Sequence, residues 1–534
     1  MVPGSARAGA LAFADGIITL VGDKQAVLAA SPGADVIDVG EATVMPGFID
    51  AHHHVSISAL YDGATRLVRP AVRDIASLQE TLRRAANASA ADRWLVATHL
   101  DESLLTERRP PTRQELDDAV PDRPLFVLHH TCHRALANTK ALEAAGIGQR
   151  TPEPSGGTIS RSRGGIPDGL LIERAMAPVE ELARADRVRV DAEGTLDRMS
   201  AHYRAMLRAG ITRVCDTAVP PDLLGLYRAL AERGDVLMPT HACPVSLQGW
   251  LPEPTDVLEG PCTGERVGRN LVIGPVKLVF DGAPGCSMCL SWAQTLATAG
   301  RALGIALRDK SLDSIRTTLT LTPRYGRHIR TGIALYEQAD GGSVVRRAVE
   351  RGFAVASHAI GNAAIDVALS AYSSAGARLN AGGVPRFEHA MFAERGQAQR
   401  MADLGIAAVV QPAMIEMHMA ASAPRIPGLP MFPLRRLQDA GVMIVGSSDY
   451  PVHTFDPLAG IRAATRRQNA RGDTIDAEEC ISLDEAIAAY TRNAARALGV
   501  DNETGTIAVG KRADLAVVDG LEDGAPEVRR AFVA

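Results

Sequence analysis

The chain has 534 residues, which allows roughly two to four domains or one large barrel with additions. Its hydrophobic content of 46% and formal net charge of -5 describe a globular protein without the basic footprint of a nucleic-acid or anionic-membrane binder. The amino terminus lacks a basic stretch followed by an unbroken apolar run, and no window approaches about eighteen uncharged apolar residues. Seven scattered cysteines, an odd number, fit a reducing compartment, so we expect a cytoplasmic protein.

Both ends of the sequence read as short β-segments. Near the start, residues 10–13 and 17–21 flank a turn at Asp15-Gly16, a pattern typical of a hairpin. Near the end, residues 505–519 alternate turns and apolar runs in the same style. Because a hairpin cannot bury its apolar face alone, we expect residues 1–45 and 500–534 to form one composite β-sandwich domain.

The long middle of the chain repeats one unit, in which a short apolar run ends in polar residues or glycine and a helical stretch follows. Such alternation predicts a parallel sheet, and eight repeats predict a (β/α)8 TIM-like barrel over residues 46–499, with its chemistry at the carboxyl ends of the strands. The eight runs are Val44–Ala51, Ile211–Thr217, Val236–Ala242, Ile273–Asp281, Phe353–His358, Arg386–His389, Ile406–Gln411 and Val442–Asp449. The predicted fold class is therefore α/β.

Two long excursions interrupt this alternation. The first and second runs are separated by far more residues than one βα connection requires. This insertion carries helical and strand patterns of its own, and we expect residues 66–190 to form an α/β lobe over the barrel mouth. A second excursion, residues 290–351, lies between the fourth and fifth runs and is expected to cover the same site.

Polar side chains at the ends of these runs are the main functional signal. In a strand, His52 and His54 share one face and His53 takes the other. Each polar residue alone has an ordinary explanation, such as a solvated histidine, a lysine whose amine reaches water, or a helix-capping aspartate. Together they form a set of six metal-competent residues at one end of the predicted barrel. The six are His52, His54, Lys277, His358, His389 and Asp449.

Lys277 stands between Val276 and Leu278, where burial of its ammonium group is costly. Desolvation lowers the pKa of a lysine and makes the neutral amine available. A neutral amine can take up carbon dioxide as a carbamate, an anionic oxygen ligand able to bridge two metals. Cys286 and Cys289 form a C-x-x-C just beyond the fourth run, which leaves open thiolate binding of metal against packing as free thiols.

The sequence resembles the amidohydrolase superfamily and, within it, amidohydrolase family 3, the YtcJ-like group that includes N-substituted formamide deformylases. The resemblance extends nearly from end to end and also includes the inserted segment at residues 109–142. The motifs that carry it are PGFIDAHHH at 46–54, VKLVFDG at 276–282, SHAIGNAAID at 357–366, RFEHA at 386–390, VQP at 410–412, GSSDYPV at 446–452 and GTIAVGKRADLAVVD at 505–519.

The resemblance implies a role for each matching residue. His52 and His54 would bind a first metal, and Lys277, if carboxylated, would bridge to a second metal held by His358 and His389. Asp449 would be both a ligand and the general base, and His133 would face the substrate. The implied cofactor is zinc, one or two ions per chain. One departure is Asn362, where the family has an aspartate, so an outer anion near the metals is expected to be missing.

The leading hypothesis is a metal-dependent amidohydrolase that cleaves the amide or N-formyl C–N bond of a small molecule with metal-activated water. One alternative is hydrolytic deamination of a heterocycle at a single metal. Another is a catalytically weak binding protein on the same fold, since fold alone does not imply function. The predicted partner is a small amide-type substrate, with no nucleic acid and no membrane, and a homodimer is left open.

Overall fold

The computed structural model describes residues 8–90, 93–130, 132–245, 257–282, 286–309, 326, 328–336, 338–380, 383–416, 425–521 and 526–534. The strands are β1 (Ala10–Ala14), β2 (Ile17–Gly22), β3 (Thr43–Pro46), β4 (Phe48–His53), β5 (Thr65–Arg66), β6 (Leu95–Leu100), β7 (Leu125–His129), β8 (Arg134–Ala137), β9 (Gly157–Arg161), β10 (Pro167–Glu173), β11 (Ile211–Val219), β12 (Thr240–Pro244), β13 (Arg266–Gly268), β14 (Leu271–Ile273), β15 (Val276–Val279), β16 (Met288–Leu290), β17 (Ile329–Thr331), β18 (Val355–Ala359), β19 (Arg386–His389), β20 (Ala407–Val410), β21 (Ile444–Gly446), β22 (Leu515–Asp519) and β23 (Glu527–Phe532).

The α-helices lie mostly between these strands, as the alternating pattern predicts. They span Lys24–Ala30, Val55–Asp62, Ile75–Ala88, Arg113–Ala119, Thr139–Ala144, Ala177–Val190, Ala192–Arg208, Pro221–Glu232, Trp292–Asp309, Gln338–Glu350, Asn362–Ser373, Arg395–Asp403, Leu434–Asp439, Pro457–Arg466, Leu483–Ala489 and Arg492–Ala497. Among the described helices, none combines the length and the apolar character needed to cross a bilayer.

Two five-stranded sheets form the centre of the molecule. One has the order β13-β14-β12-β11-β4, and the other has the order β15-β18-β19-β20-β21, in which neighbouring strands run parallel. On one side, β14 leads into β15 through Gly274, whose N–H donates to the Ala242 carbonyl at 2.8 Å. On the other side, the N–H of Asp449 donates to the His52 carbonyl at 2.8 Å. The strands thus form the predicted α/β barrel.

Among the barrel strands whose bounds differ from the prediction, two divide and one begins four residues late. The first predicted run divides at Gly47, so that β3 pairs with β22 outside the barrel and β4 begins at Phe48. The third begins at Thr240, later than predicted, directly after a proline. The fourth divides into β14 and β15 at Gly274-Pro275, because proline cannot donate to a strand ladder.

The two ends of the chain meet beside the barrel. A three-stranded sheet has the order β23-β22-β3, and the β1–β2 hairpin lies against the turn that precedes β22. The N–H of Ile18 donates to the Lys511 carbonyl and the N–H of Ala513 donates to the Gly16 carbonyl, both at 2.8 Å. Ile18, Ala513 and Leu515 share a small buried cluster of their own. The alternation of turns and apolar runs at both ends therefore reflects real pairing between them.

The insertion after β4 builds a six-stranded mixed sheet with the order β5-β6-β7-β8-β10-β9. Its apolar side forms a second core that includes Leu78, Leu95, Leu116 and Leu125. Residues on the opposite face of this sheet, such as Phe126 and Leu171, belong instead to the main hydrophobic core, that of the barrel. Both faces of the inserted sheet therefore carry buried residues, and one face packs against the barrel.

The close approach of β4 to β11 at Gly47 gives a testable stability difference. A Cβ at Gly47 would lie 2.2 Å from the Thr212 hydroxyl oxygen, so Gly47→Ala should destabilise by about 1–3 kcal/mol through overpacking. The matched control is Gly225→Ala within helix Pro221–Glu232, where a Cβ meets nothing within 4 Å and should stabilise by about 0.5–1 kcal/mol. In thermal unfolding, the Tm of Gly47→Ala should be lower than that of the parent protein, and the Tm of Gly225→Ala should not be. Equal Tm shifts in the two variants would contradict the prediction.

Candidate metal centre

The histidine pair at the end of β4 meets the aspartate that follows β21. Phe48–His53 is buried throughout, and helix Val55–Asp62 begins directly after His54. The Nε2 atoms of His52 and His54 lie 3.2 and 3.0 Å from Asp449 Oδ1. Both imidazoles therefore point at one carboxylate oxygen, as expected from their shared strand face.

The other predicted ligands lie on the adjoining strands. The imidazole rings of His52 and His389 are 5.0 Å apart between centroids, and those of His358 and His389 are 4.5 Å apart. Lys277 is buried on β15, where Val279 lies opposite His358 in the ladder. One ligand atom each from His52, His389 and Asp449 falls within 4.8 Å of the others. The six predicted residues are thus gathered at the carboxyl end of the barrel.

Burial and charge prepare these groups to bind a cation. Burial lowers the pKa of His389 to about 3 and that of His358 well below its ordinary value, so both rings are neutral with a free lone pair. Burial also lowers the pKa of Lys277. It acts in the opposite direction on Asp449, but the charge and hydrogen bonds of His52 and His54 hold that pKa well below its usual range. The carboxylate is therefore ionised, and the nearby imidazoles of His358 and His389 are neutral.

Two acceptors hold the outer side of the histidine rings. His52 Nδ1 lies 2.5 Å from Glu388 Oε2, and His389 Nδ1 lies 2.8 Å from Gln411 Oε1. His358 Nε2 lies 3.6 Å from Asp281 Oδ1, too far for a hydrogen bond. An acceptor on one ring nitrogen fixes the tautomer and the orientation in which the other nitrogen can bind a metal. These acceptors were absent from the sequence-based site.

Glu388 and Asp281 are both fully enclosed in protein. The Arg386 Nε atom lies 2.7 Å from Glu388 Oε1, and both side chains are completely buried. Asp281 accepts the N–H groups of Ser287, Ile360 and Gly361 at 3.0, 3.0 and 2.8 Å, while burial raises its pKa to about 7. The sequence signal that could have identified Glu388 is the presence of an arginine and a glutamate in one wholly buried parallel strand, where charged side chains are rare unless they are paired.

His133 reaches the site from the inserted lobe. Its ring centroid is 5.7 Å from that of His358, and its Nδ1 lies 3.1 Å from both carboxylate oxygens of Glu173 at the end of β10. Burial acts to lower the pKa of His133, but the charge of Glu173 and the hydrogen bond to it raise that pKa overall. The inserted segment thus places the His133 imidazole beside the predicted ligand His358, and its contact with substrate stays a prediction.

The donor set fits a divalent metal such as zinc. His54 Nδ1 and His358 Nε2 are buried and have no hydrogen-bond partner within the described part of the chain. The pKa of His52 is lowered by burial and by Lys277 but raised overall by the carboxylates of Glu388 and Asp449, so the site attracts positive charge. Imidazole nitrogens and carboxylate oxygens at such a position are the ligands that zinc takes in proteins.

Other residues singled out in the sequence lie elsewhere. His53 Nδ1 is 2.8 Å from Asp50 and its Nε2 is 2.7 Å from His202, outside the ligand cluster. Cys286 packs in an apolar cluster with Met288, and neither it nor Cys289 joins a metal-competent cluster among the described residues. Asn362 binds the Cys289 backbone and the Glu394 carboxylate.

Two carboxyl groups lie near the histidines although position 362 carries an asparagine. Asp281 lies beside His358, and Glu388 lies beside His52. Both come from barrel strands or their ends and not from the helix that begins at Asn362. The absence of an outer anion at position 362 stays a prediction.

Several groups in and around the site are held in left-handed backbone conformation. The φ angle is 74° at His389, 57° at Asp449, 61° at Cys132 and 51° at Glu173. Such angles are uncommon for residues other than glycine and persist only where the surrounding structure imposes them. Residues of the barrel and residues of the inserted lobe therefore both adopt uncommon backbone angles in this region.

A parallel barrel with histidines and an ionised carboxylate at the carboxyl ends of its strands defines the class of barrel hydrolases that work with a metal centre. A family model described as the amidohydrolase family matches residues 35–531, and the chain belongs to that family. Membership confirms the prediction of a metal-dependent hydrolase acting on carbon–nitrogen bonds other than peptide bonds.

Individual relatives extend over most of the chain. It is 32% identical to N-substituted formamide deformylase of Arthrobacter pascens, covering 96% of this chain and 90% of the relative. It is 26% identical to putative amidohydrolase YtcJ of Bacillus subtilis, covering 96% and 91%. A solved structure of an uncharacterized metal-dependent hydrolase from Pyrococcus horikoshii matches with a TM-score of 0.68 at 21% identity, covering 95% of this chain and 93% of that chain. This last similarity supports the fold.

The Glu388 carboxylate yields a prediction about metal retention. Glu388→Gln keeps the shape of the side chain but removes the charge that faces His52 and Arg386, so metal affinity should fall by about 10–100-fold. Metal content after dialysis against graded chelator, measured by inductively coupled plasma mass spectrometry, would show the loss.

Glu102→Gln is the matched control for this substitution. Glu102 also pairs with an arginine and a histidine, Arg134 at 3.0 Å and His129 at 2.9 Å, but it belongs to the inserted lobe. That variant should retain metal like the parent protein. Equal retention by both variants would mean that Glu388 does not support the metal ligands.

Proposed function

We propose that the chain hydrolyses the C–N bond of small N-substituted formamides. Water adds to the formyl carbon, the C–N bond breaks, and the products are formate and the free amine. The observation that carries this substrate class is the 32% identity to an N-substituted formamide deformylase over 96% of the chain. The gathered histidines, the ionised Asp449 and the buried Lys277 support the same chemistry.

The residues proposed to hold zinc are His52 and His54 at one position and His358 and His389 at a second, with Asp449 adjoining. Zinc at this centre would lower the pKa of a water ligand toward about 7 and polarise the formyl oxygen. The approach of His54 Nε2 to Asp449 Oδ1 at 3.0 Å and the 4.5 Å separation of the His358 and His389 ring centroids support binding at both positions. The carboxylates that raise the pKa of His52 supply part of the countercharge.

Asp449 is proposed to act as the general base. Its carboxylate is ionised, lies within hydrogen-bonding distance of two imidazoles, and is held in place by the Asp449 N–H bond to the His52 carbonyl. Such a group can take a proton from the attacking water and return it to the departing nitrogen. His133, on the lobe side, is proposed to contact the formyl group or the leaving amine.

Lys277 is proposed to carry a carbamate that bridges the two metal positions. Burial lowers the pKa of its amine, which favours the neutral form that reacts with carbon dioxide. The carbamate would add a negative charge among neutral imidazoles, which a second cation then balances. A plain amine at Lys277 in a crystal of metal-loaded protein would contradict this part of the proposal.

We further propose that residues 1–45 and 500–534 form one composite domain, that residues 46–499 form the metal-dependent barrel, and that residues 66–190 form a lobe over its mouth. The separate clusters of apolar residues in the terminal sheet and in the lobe sheet support this division. A reducing compartment, the cytoplasm, fits seven cysteines that are all unpaired.

The function is tested by product release. Purified protein loaded with zinc should release stoichiometric formate and primary amine from N-alkyl and N-aryl formamides. Chelation with verified metal removal should abolish turnover, and Asp449→Asn should lower kcat by about 10²–10⁴-fold because the general base is lost. Full turnover without metal would refute the proposal, and release of ammonia from heterocycles in place of formate from formamides would favour a deaminase.

Metal stoichiometry tests the bridging role of Lys277. Protein prepared without chelators or a histidine tag should hold about two zinc equivalents, the number in a two-metal site. Lys277→Ala should hold about one, while Lys140→Ala, at an exposed lysine of the lobe, should hold as much as the parent. One equivalent in the parent protein would indicate a single-metal centre without the bridge.

A further inference from the structure

Glu173 combines deep burial with an unusual backbone conformation. Its residue is 4% exposed, and its φ and ψ angles are 51° and −128° at the junction of β10 with the following turn. A left-handed φ is costly for a residue with a side chain and persists where the surroundings impose it. The junction has a glutamate at this φ angle and not a glycine, which indicates that the glutamate side chain has a role at this position.

The Glu173 carboxylate lies where the lobe meets the barrel. Both of its oxygens are 3.1 Å from His133 Nδ1, and the N–H of Glu173 donates to the His133 carbonyl at 3.0 Å. On the barrel side it occupies the space beside Gly282, since a Cβ on that glycine would lie 2.2 Å from Glu173 Oε1. Gly282 directly follows Asp281, the residue beside His358. The carboxylate therefore lies between His133 and the end of the fourth barrel strand.

This arrangement constrains how His133 can face the site. A carboxylate oxygen accepts a hydrogen bond, and both oxygens of Glu173 face Nδ1, so Nδ1 is the nitrogen that carries the proton. The Nε2 atom lies on the opposite side of the ring from Nδ1. A ring fixed in this way presents one defined nitrogen beside His358, whose ring centroid is 5.7 Å away.

We propose that Glu173 is a positioning residue for the reaction: it holds His133 through Nδ1 and sets Nε2 toward the substrate. The inference rests on the proposed function, in which His133 contacts the formyl group or the leaving amine. This placement has a structural cost, which is the strained backbone at Glu173. It also requires space, which Gly282 provides because it has no side chain. Neither residue is a predicted metal ligand, so the effect is separable from metal binding.

The first test is a double-mutant cycle on the zinc-loaded protein with N-alkyl formamides as substrates. Glu173→Gln should lower kcat by at least about tenfold, with a smaller change in KM and unchanged zinc content. In a His133→Ala background the same substitution should have little further effect, because the group it orients is gone. An unchanged kcat in Glu173→Gln, or equal losses in both backgrounds, would overturn the proposal.

Gly282→Ala provides a second variant that leaves Glu173 in the chain. The added methyl group would displace the carboxylate, so its kcat should fall in the same way and should also be insensitive to Glu173→Gln. Gly225→Ala, where the added methyl group meets nothing within 4 Å, is the matched control and should keep the parent kcat. A Gly282→Ala protein that is folded, zinc-loaded and as active as the parent would count against the positioning role.

The tautomer of His133 separates failure of this inference from failure of the proposed function. In protein labelled with ¹⁵N at histidine, the resonances absent from His133→Ala identify this ring. The parent should carry a proton on Nδ1, and Glu173→Ala, which removes both acceptor oxygens, should alter that state whether or not any formamide is consumed. An identical tautomer in both proteins would overturn the positioning role, whereas the expected change without formamide turnover would overturn only the substrate assignment.

Discussion

The buried contact between Glu388 and His52 is the interaction on which the centre depends. Glu388 is wholly enclosed, and an ionised carboxylate in that position requires compensating charge. Arg386 provides it from the same strand at 2.7 Å, and His52 lies on the other side at 2.5 Å. Removing either partner would leave a charge buried without compensation. The barrel interior and the ligand cluster are therefore one electrostatic unit.

This unit is completed by groups from opposite ends of the chain. β4 enters the barrel after Gly47, whose N–H donates to the Asp514 carbonyl at 2.8 Å, so the terminal sheet fixes where the first ligand strand begins. At the other side of the ring of strands, the Asp449 N–H bond to His52 sets the carboxylate opposite the imidazoles. The lobe adds His133 through the contact of Glu173 with the barrel. The terminal sheet, the barrel strands and the inserted sheet thus all help to position these side chains.

The sequence was most informative where function follows from local position. His52, His54, His358, His389 and Asp449 were predicted because strand ends of a parallel barrel meet at one edge, and this placement needs only the order of the runs. The division of the first run at Gly47 was missed because the apolar residues on both sides of Pro46-Gly47 were counted as one run. Which strand β3 pairs with depends on β22, more than 450 residues away, and no local pattern records that pairing.

The residues that orient the ligands were missed for a related reason. Gln411 and Glu388 meet their histidines across neighbouring strands or across the barrel, so their roles depend on register and strand tilt. Glu173 depends on how the lobe docks on Gly282. Asn362 was noticed only as a departure from the family pattern, whereas the carboxyl groups of Asp281 and Glu388, which lie beside His358 and His52, were not noticed.

The left-handed backbone at His389, Asp449 and Glu173 has a consequence for engineering and evolution. Each such residue costs about 1–3 kcal/mol that the remaining fold must offset. Glycine at these positions would relax the chain, so selection for heat resistance alone would favour changes that remove the proposed metal ligands and the proposed positioning residue. A thermostable descendant of this protein must therefore gain its stability elsewhere, in the apolar interior or the terminal sheet, while these few positions stay energetically unfavourable.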